Sequence, residues 1–263
     1  MTEIIGYKAV PGLPWGAAKE TALYAVNSFD EWRDLLDDAA TDVLRLRHRA
    51  VWDSHASIGT ALHAVNEAWD AGTEVDLDAL VCDMADSDKQ AKLWQGHEAE
   101  TVDRLEGYVD GLEKFWNVHR PIERRCEECV RTPNVYVGQR DMVATINWRG
   151  AKSRVLLDIK TTHEQDPEKA VYHDSWALQL AAYRYAEECV GYALNDAGKV
   201  VETGAWENDP VDACAVIHLR GDGGFTLYEV AADEDAYQAF LALASFGRWD
   251  RALKAPRTVE ESA

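Results

Sequence analysis

Sulfur is scarce in this chain, with five cysteines and three methionines in 263 residues. Five cysteines over such a length make no disulfide framework, so the expected setting is reducing and cytoplasmic. Long apolar runs are missing too. No segment approaches the ~18–20 residues that a membrane span needs. No N-terminal stretch has the basic, apolar and small-residue order of a signal peptide. There is no internal repeat and no low-complexity segment. Positive charge is in deficit: 27 Lys and Arg stand against 47 Asp and Glu, a net charge of −20. That balance excludes a protein that coats nucleic acid through bulk electrostatics. What the chain does have is a 47% hydrophobic content, enough for a sizeable core in one domain with helical additions.

The charge is unevenly spread. Residues 119–160 hold nine Lys and Arg but only five acids, which leaves 18 basic and 42 acidic residues elsewhere. A basic strand region within an acidic body suits a DNA cleft. It equally suits a sheet with charged outer faces, and charge alone leaves both readings open.

Helical patterns come first along the chain. Ser28 is placed to cap a helix over 29–50, where Trp32, Leu35, Leu36, Val43 and Leu46 recur at helical spacing. A second helix covers 57–71, with Ile58, Leu62, Val65 and Trp69 as one stripe and Gly72 as its stop. A shorter piece spans 77–84. A longer helix spans 95–116, after which Pro121 breaks the pattern. The character then changes. Segments 122–130, 135–148 and 154–162 read as strands, joined by turns at Pro133-Asn134 and Arg149-Gly150, in an antiparallel meander. Helix returns at 176–190. Segments 213–220 and 225–231 form a hairpin, 233–253 closes the chain as a helix, and 255–263 reads as a frayed tail.

Strand geometry makes Asp158-Ile159-Lys160 the most informative tripeptide. Side chains two apart share a face. Val155, Leu157 and Ile159 therefore point into a core, while Asp158 and Lys160 point together the other way. A carboxylate beside an ammonium can hold a metal ion and set a water against a phosphate. Asp141 lies 17 residues earlier among the apolar residues Val137, Met142 and Val143, where an unpartnered carboxylate is costly. Gln179 and Tyr183 are four apart and share one helix face.

Four motifs come in order: Gly59-Thr60-x-x-His63, Gly138-x-x-Asp141, Asp158-x-Lys160 and Gln179-x-x-x-Tyr183. The set resembles the PD-(D/E)xK nuclease superfamily. Within it, the similarity is to the branch of the RecB nuclease domain and the RecB-like exonucleases of CRISPR systems and phages. The resemblance covers roughly 55–220. It implies an α/β fold with a restriction-endonuclease-like αβββαβ core, a mixed central sheet flanked by helices, with helical additions at the N-terminal side. As one nuclease domain, 1–118 would be mainly helical and carry His63, 119–231 would form the catalytic sheet and helix, and 232–263 would form a C-terminal helix and tail. The implied activity is Mg²⁺- or Mn²⁺-dependent DNA cleavage in recombination, repair or phage DNA processing.

The resemblance also assigns residues. Asp141 and Asp158 correspond to the metal-binding carboxylates, with the backbone carbonyl of Ile159 as a further ligand. Lys160 corresponds to the residue that orients the attacking water. His63 corresponds to the helix-borne histidine ligand, and Gln179 and Tyr183 to the motif that supports the site and contacts DNA. Thr161 and Arg140 are neighbouring candidates for DNA contact. Each has a plainer alternative: His63 pairing with Glu67 one turn on, Lys160 as a solvated strand lysine, Tyr183 as core. Glu123, on the strand before Asp141, either completes the metal shell or pairs on the surface.

Some RecB-like nucleases hold an iron–sulfur cluster on one early and three late cysteines. This chain has only the pair Cys126-x-x-Cys129 and no late triplet, so no cluster is expected. A non-catalytic DNA-binding or assembly protein on the same fold is the alternative function, although the complete Asp141, Asp158, Lys160 set favours an enzyme. DNA is the expected partner, alongside a recombination or replication protein. An oligomer would ease threading, and no membrane association is expected.

Overall fold

The computed structural model describes residues 13–162, 175–195 and 197–254. Helices α1 (Leu13–Asn27), α2 (Phe29–Trp32), α3 (Asp37–Asp70), α4 (Leu77–Ser87) and α5 (Glu98–His119) come first, with a 3₁₀ segment at Lys89–Trp94. Strands β1 (Ile122–Thr132), β2 (Tyr136–Trp148) and β3 (Ala151–Thr162) follow. Next come α6 (Ser175–Arg184), β4 (Glu188–Leu194), β5 (Val200–Glu207), β6 (Ala213–Arg220), β7 (Phe225–Glu229) and α7 (Glu234–Lys254). All seven strands form one mixed sheet in the order β5-β4-β1-β2-β3-β6-β7. Only the β3–β6 pair is parallel. This is the mixed sheet flanked by helices that the αβββαβ reading anticipates.

The sheet is covered on both faces, and alternate residues feed two cores. Leu157 and Ile159 of β3 and Ala215 and Ile217 of β6 join Ile58, Leu62 and Val65 of α3 and Leu105 and Leu112 of α5. Leu156 of β3 and Cys214 and Val216 of β6 join Leu180 of α6 and Phe240 of α7. Strands β3 and β6 therefore read as near-continuous apolar runs, as parallel strands buried on both faces do.

Helix α3 runs 34 residues without a break, where two helices with a gap at 51–56 are expected. Asp53, Ser54 and His55 resemble loop residues, but Ser57 bonds back to the Asp53 carbonyl and the turn stays closed. The stop at Gly72 is as expected. Its φ is 73°, and Thr73 N–H reaches the Ala68 carbonyl at 2.8 Å, which closes a Schellman-type end. The helix expected over 29–50 is interrupted at 33–36, and its residues 37–50 begin α3. Ser28 makes no side-chain cap bond and α2 lasts one turn. Leu35, Leu36, Val43 and Leu46 are exposed rather than a core stripe.

The helix expected over 176–190 ends at Arg184. Cys189 and Val190 instead pair with Val130 and Cys129 of β1. Ala186-Glu187-Glu188 has helical propensity, but a free sheet edge next door outweighs it. Strand β5 was not anticipated: all of its residues are exposed, so there is no alternation to read. The tail 255–263 lies outside the described residues.

Candidate active site

Two strands part company where the carboxylates stand. The β2–β3 ladder runs from Trp148↔Ala151 to Met142↔Leu157. One residue further, the Asp141 carboxylate takes over from the ladder: its Oδ2 accepts the Ile159 N–H at 2.6 Å. β2 continues alongside β1 while β3 continues alongside β6. The split leaves Asp141 and Asp158 side by side, 7% and 1% exposed. Lys160 Nζ sits 2.6 Å from Asp158 Oδ2. The shared strand face of Asp158 and Lys160 is therefore realised as a direct ion pair.

Helix α6 braces this pair. Gln179 Nε2 donates to Asp158 Oδ1 and to the Tyr183 hydroxyl, each at 3.1 Å. The amide fixes the rotamer of Asp158 and the phenol fixes the amide. From the other side α3 delivers His63. Its Nδ1 lies 2.9 Å from Glu127 Oε1, and its Nε2 faces Asp141 Oδ2 at 3.8 Å. Gln139 donates to the second Glu127 oxygen at 2.8 Å. The side chain paired with His63 is thus Glu127 from β1, not Glu67.

The electrostatics follow from burial. Asp141 is pushed up to about 7 by desolvation and by the Asp158 charge, against the pull of His63, Lys160 and the Ile159 N–H. Burial acts to lower His63 and Lys160, yet both stand above their usual ranges. The Glu127 bond and the Asp141 and Asp158 charges outweigh burial for His63, and Asp158 and Asp141 do so for Lys160. Burial raises the Tyr183 phenol, which keeps it a neutral donor.

One ligand atom each from His63, Glu127 and Asp141 lies within 4.8 Å of the others. An imidazole and two carboxylates converging on one point form a donor set that suits a divalent cation. The raised Asp141 points the same way, since a cation would relieve a buried carboxylate held beside another. The residues present fit a metal ion.

The sequence model of the PD-(D/E)XK nuclease superfamily matches residues 39–249, from α3 into α7. The chain belongs to the PD-(D/E)XK nuclease superfamily. No curated protein matches it. Among solved structures, the crystal structure of SSO0001 aligns with a TM-score of 0.30 at 16% identity, over 76% of this chain and 88% of that one. Overlap at that level carries no argument.

Within this PD-(D/E)XK site, two of the residues singled out from the sequence stand elsewhere. Glu123 is exposed and accepts the Thr145 hydroxyl at 2.8 Å; the carboxylate of that strand beside Asp141 is Glu127. A two-residue turn at Pro133-Asn134 would put Glu127 opposite Arg140; the observed register, Cys126↔Met142 and Glu128↔Arg140, has a three-residue loop at 133–135 and sets Glu127 opposite Asp141. Arg140 is 1% exposed and is bonded to Glu128 and to Asn208 Oδ1. It is an internal cation with no route to a ligand. Thr161 lies at the mouth of a cavity of about 520 Å³ that opens on Lys160.

Much of the basic stripe at 119–160 is also not a free surface. Arg124 faces Asp70, Arg125 faces Glu128 and Asp209, Arg131 faces Glu188 and Glu202, Arg149 faces Glu229, and Arg154 faces Asp209. Arg120 and Lys152 of the same stripe are exposed and line a further cavity.

Proposed function

We propose that this chain is a divalent-metal-dependent DNA nuclease of the RecB-like branch, acting as an exonuclease in recombination, repair or phage DNA processing. The observation that carries the reading is the β2–β3 split. It joins Asp158, Lys160 and Gln179 in one bonded group, ties Asp141 to the Ile159 N–H beside them, and faces Asp141 with His63, itself paired with Glu127, at 3.8 Å.

His63, Asp141 and Asp158 would hold Mg²⁺ or Mn²⁺, joined by the Ile159 carbonyl. That carbonyl leaves the strand on the same side as the N–H that meets Asp141. When bound, the ion supplies charge neutralisation at the scissile phosphate and a more acidic water. The protein's own groups do the rest. Lys160 is held by Asp158 with donors to spare, which suits it to orient a water and to stabilise negative charge on the phosphate. Gln179 and Tyr183 keep Asp158 in place. Glu127 holds the Nδ1 side of His63 and so aims Nε2 at Asp141, the usual outer partner of a ligating imidazole.

Digestion of end-labelled linear DNA and of closed circular DNA tests the reading. Linear DNA should be degraded with Mg²⁺ or Mn²⁺, circular DNA should be spared, and EDTA should abolish cleavage. Cleavage that survives exhaustive chelation would overturn the mechanism, and equal loss of circular DNA would overturn the exonuclease assignment.

A further inference from the structure

Besides Lys160 on β3, a further set of cations stands away from the sheet. They line a cleft between the helices. The cavity of about 520 Å³ opens on Lys160 and is walled by Trp52, His55, Arg104, Tyr108 and Trp176. A second cavity, about 640 Å³, shares His55 and Arg104 with the first and continues past Arg47 and Lys92. The two adjoin at the Arg104–His55 pair, where the guanidinium bonds the imidazole, and taken end to end they would form one channel. Its walls are α3, which carries Arg47, Trp52 and His55, and α5, which carries Arg104 and Tyr108.

We propose that this channel is a track for a single DNA strand leading to Lys160, with Trp52 as a base-stacking platform and Arg104 as a phosphate contact. The inference rests on the nuclease reading above and adds the form of the substrate. Cations interleaved with rings are what an unpaired strand needs, since each base offers a π-face and each linkage a charge. Trp52 is 37% exposed and meets the His48 ring edge to face at 5.1 Å, which leaves part of the side chain accessible to a base, while buried Trp176 and Tyr108 line the same cavity. A duplex hides its base faces in its own stack and cannot enter cavities of this size. The cavity on the Glu127 side is a poorer track: its guanidiniums, Arg124 and Arg125, already face Asp70, Glu128 and Asp209. An acidic body also favours a lined channel over an open basic surface, because it repels DNA everywhere else.

Fluorescence anisotropy with a short labelled oligonucleotide and its blunt duplex, with Ca²⁺ as the cation, tests the track. The single strand should bind at least about tenfold tighter than the duplex. Trp52→Ala should weaken single-strand binding by roughly tenfold. Arg104→Gln should weaken it comparably and lower the slope of log affinity against log salt by about 1. Arg149→Gln, at the far end of β3, should bind as the parent does. Thermal unfolding of each variant reports folding; Trp52→Ala, at a half-open surface position, carries the test if Arg104→Gln does not fold. Parental affinity in both folded variants, or a duplex bound as tightly as the single strand, would overturn the track. A parent that binds neither form would overturn the DNA reading itself, and the track with it.

Discussion

In the proposed mechanism Asp141, Asp158 and Lys160 work as a unit, so the loss of any one should be felt in full. Asp158→Asn and Lys160→Ala should each cut turnover by about a hundredfold or more, the scale of removing an electrostatic stabiliser. Near-normal turnover in Lys160→Ala would remove the lysine from the chemistry. His63→Ala should weaken metal affinity, read by calorimetry, with partial rescue at high Mn²⁺. Glu127→Gln should do the same more mildly if Glu127 acts by aiming the imidazole, since second-partner losses run about 10–100-fold. The raised Asp141 and His63 give metal-free stability a definite slope with pH. Folded Asp141 keeps a proton up to about pH 7, whereas the unfolded chain sheds it near ~3.9. The folded state binds more protons over that window, so stability falls as pH rises through it. His63 has the same sign: its contribution is full below about 6.5 and is lost as pH climbs past its raised value. The melting temperature of the metal-free protein should drop by a few degrees between about pH 5 and pH 8, with a shallower drop in Asp141→Asn. Saturating Mn²⁺ should reverse the trend, because ligands bind metal deprotonated. A metal-free melting temperature that rises over this range would contradict the assignment.

The elements hold the site through two close approaches. Helix α5 meets the β6–β7 turn backbone to backbone: a Cβ on Gly107 would fall 2.1 Å from the Gly221 carbonyl oxygen. Alanine at that position gains up to ~1 kcal/mol of helix propensity but forces an overpacked contact costing about 1–3 kcal/mol or more. The clash is against backbone, which cannot swing away, so Gly107→Ala should lower the melting temperature. Gly59 on α3 has open space around its Cβ position, so Gly59→Ala should raise it. A differential scanning calorimetry pair in which both shifts share a sign would refute the packing argument. The second approach is the buried Arg140–Glu128 pair, which ties β1 to β2 next to the site. Removing one partner of such a pair leaves an uncompensated charge and costs about 3–5 kcal/mol. Its role is to fix the strands that carry Glu127 and Asp141.

For the whole molecule, the net charge of −20 sets the conditions of stability. Most sheet arginines already face carboxylates, so the surplus of acid lies unneutralised over the remaining surface and repels itself. Salt shortens the reach of that repulsion to ~10 Å at 0.1 M. The metal-free melting temperature should therefore rise with NaCl from low to moderate concentration. A falling value would mean that the ion pairs, rather than the net charge, govern stability.

Much of this was legible in residue order. The meander, its turns at Pro133-Asn134 and Arg149-Gly150, the Asp158–Lys160 face and the Gln179–Tyr183 face follow from periods of two and four, which any strand or helix obeys. Glu127 was not, because a two-residue turn at Pro133-Asn134 pairs it with Arg140, and only the three-residue loop of the structure sets it opposite Asp141. Other features depended on distance in space. Whether Arg140 reaches ligand or core depends on Glu128 and Asn208, the latter 68 residues away. Whether Cys189 and Val190 coil or extend depends on an open edge of β1. Whether a basic stripe is free depends on carboxylates delivered from other elements, such as Asp70, Asp209 and Glu229. The sequence by itself determined which side chains share a face, since that is local geometry. Only the tertiary structure decided which faces meet, because burial and charge neutralisation are set by partners far along the chain.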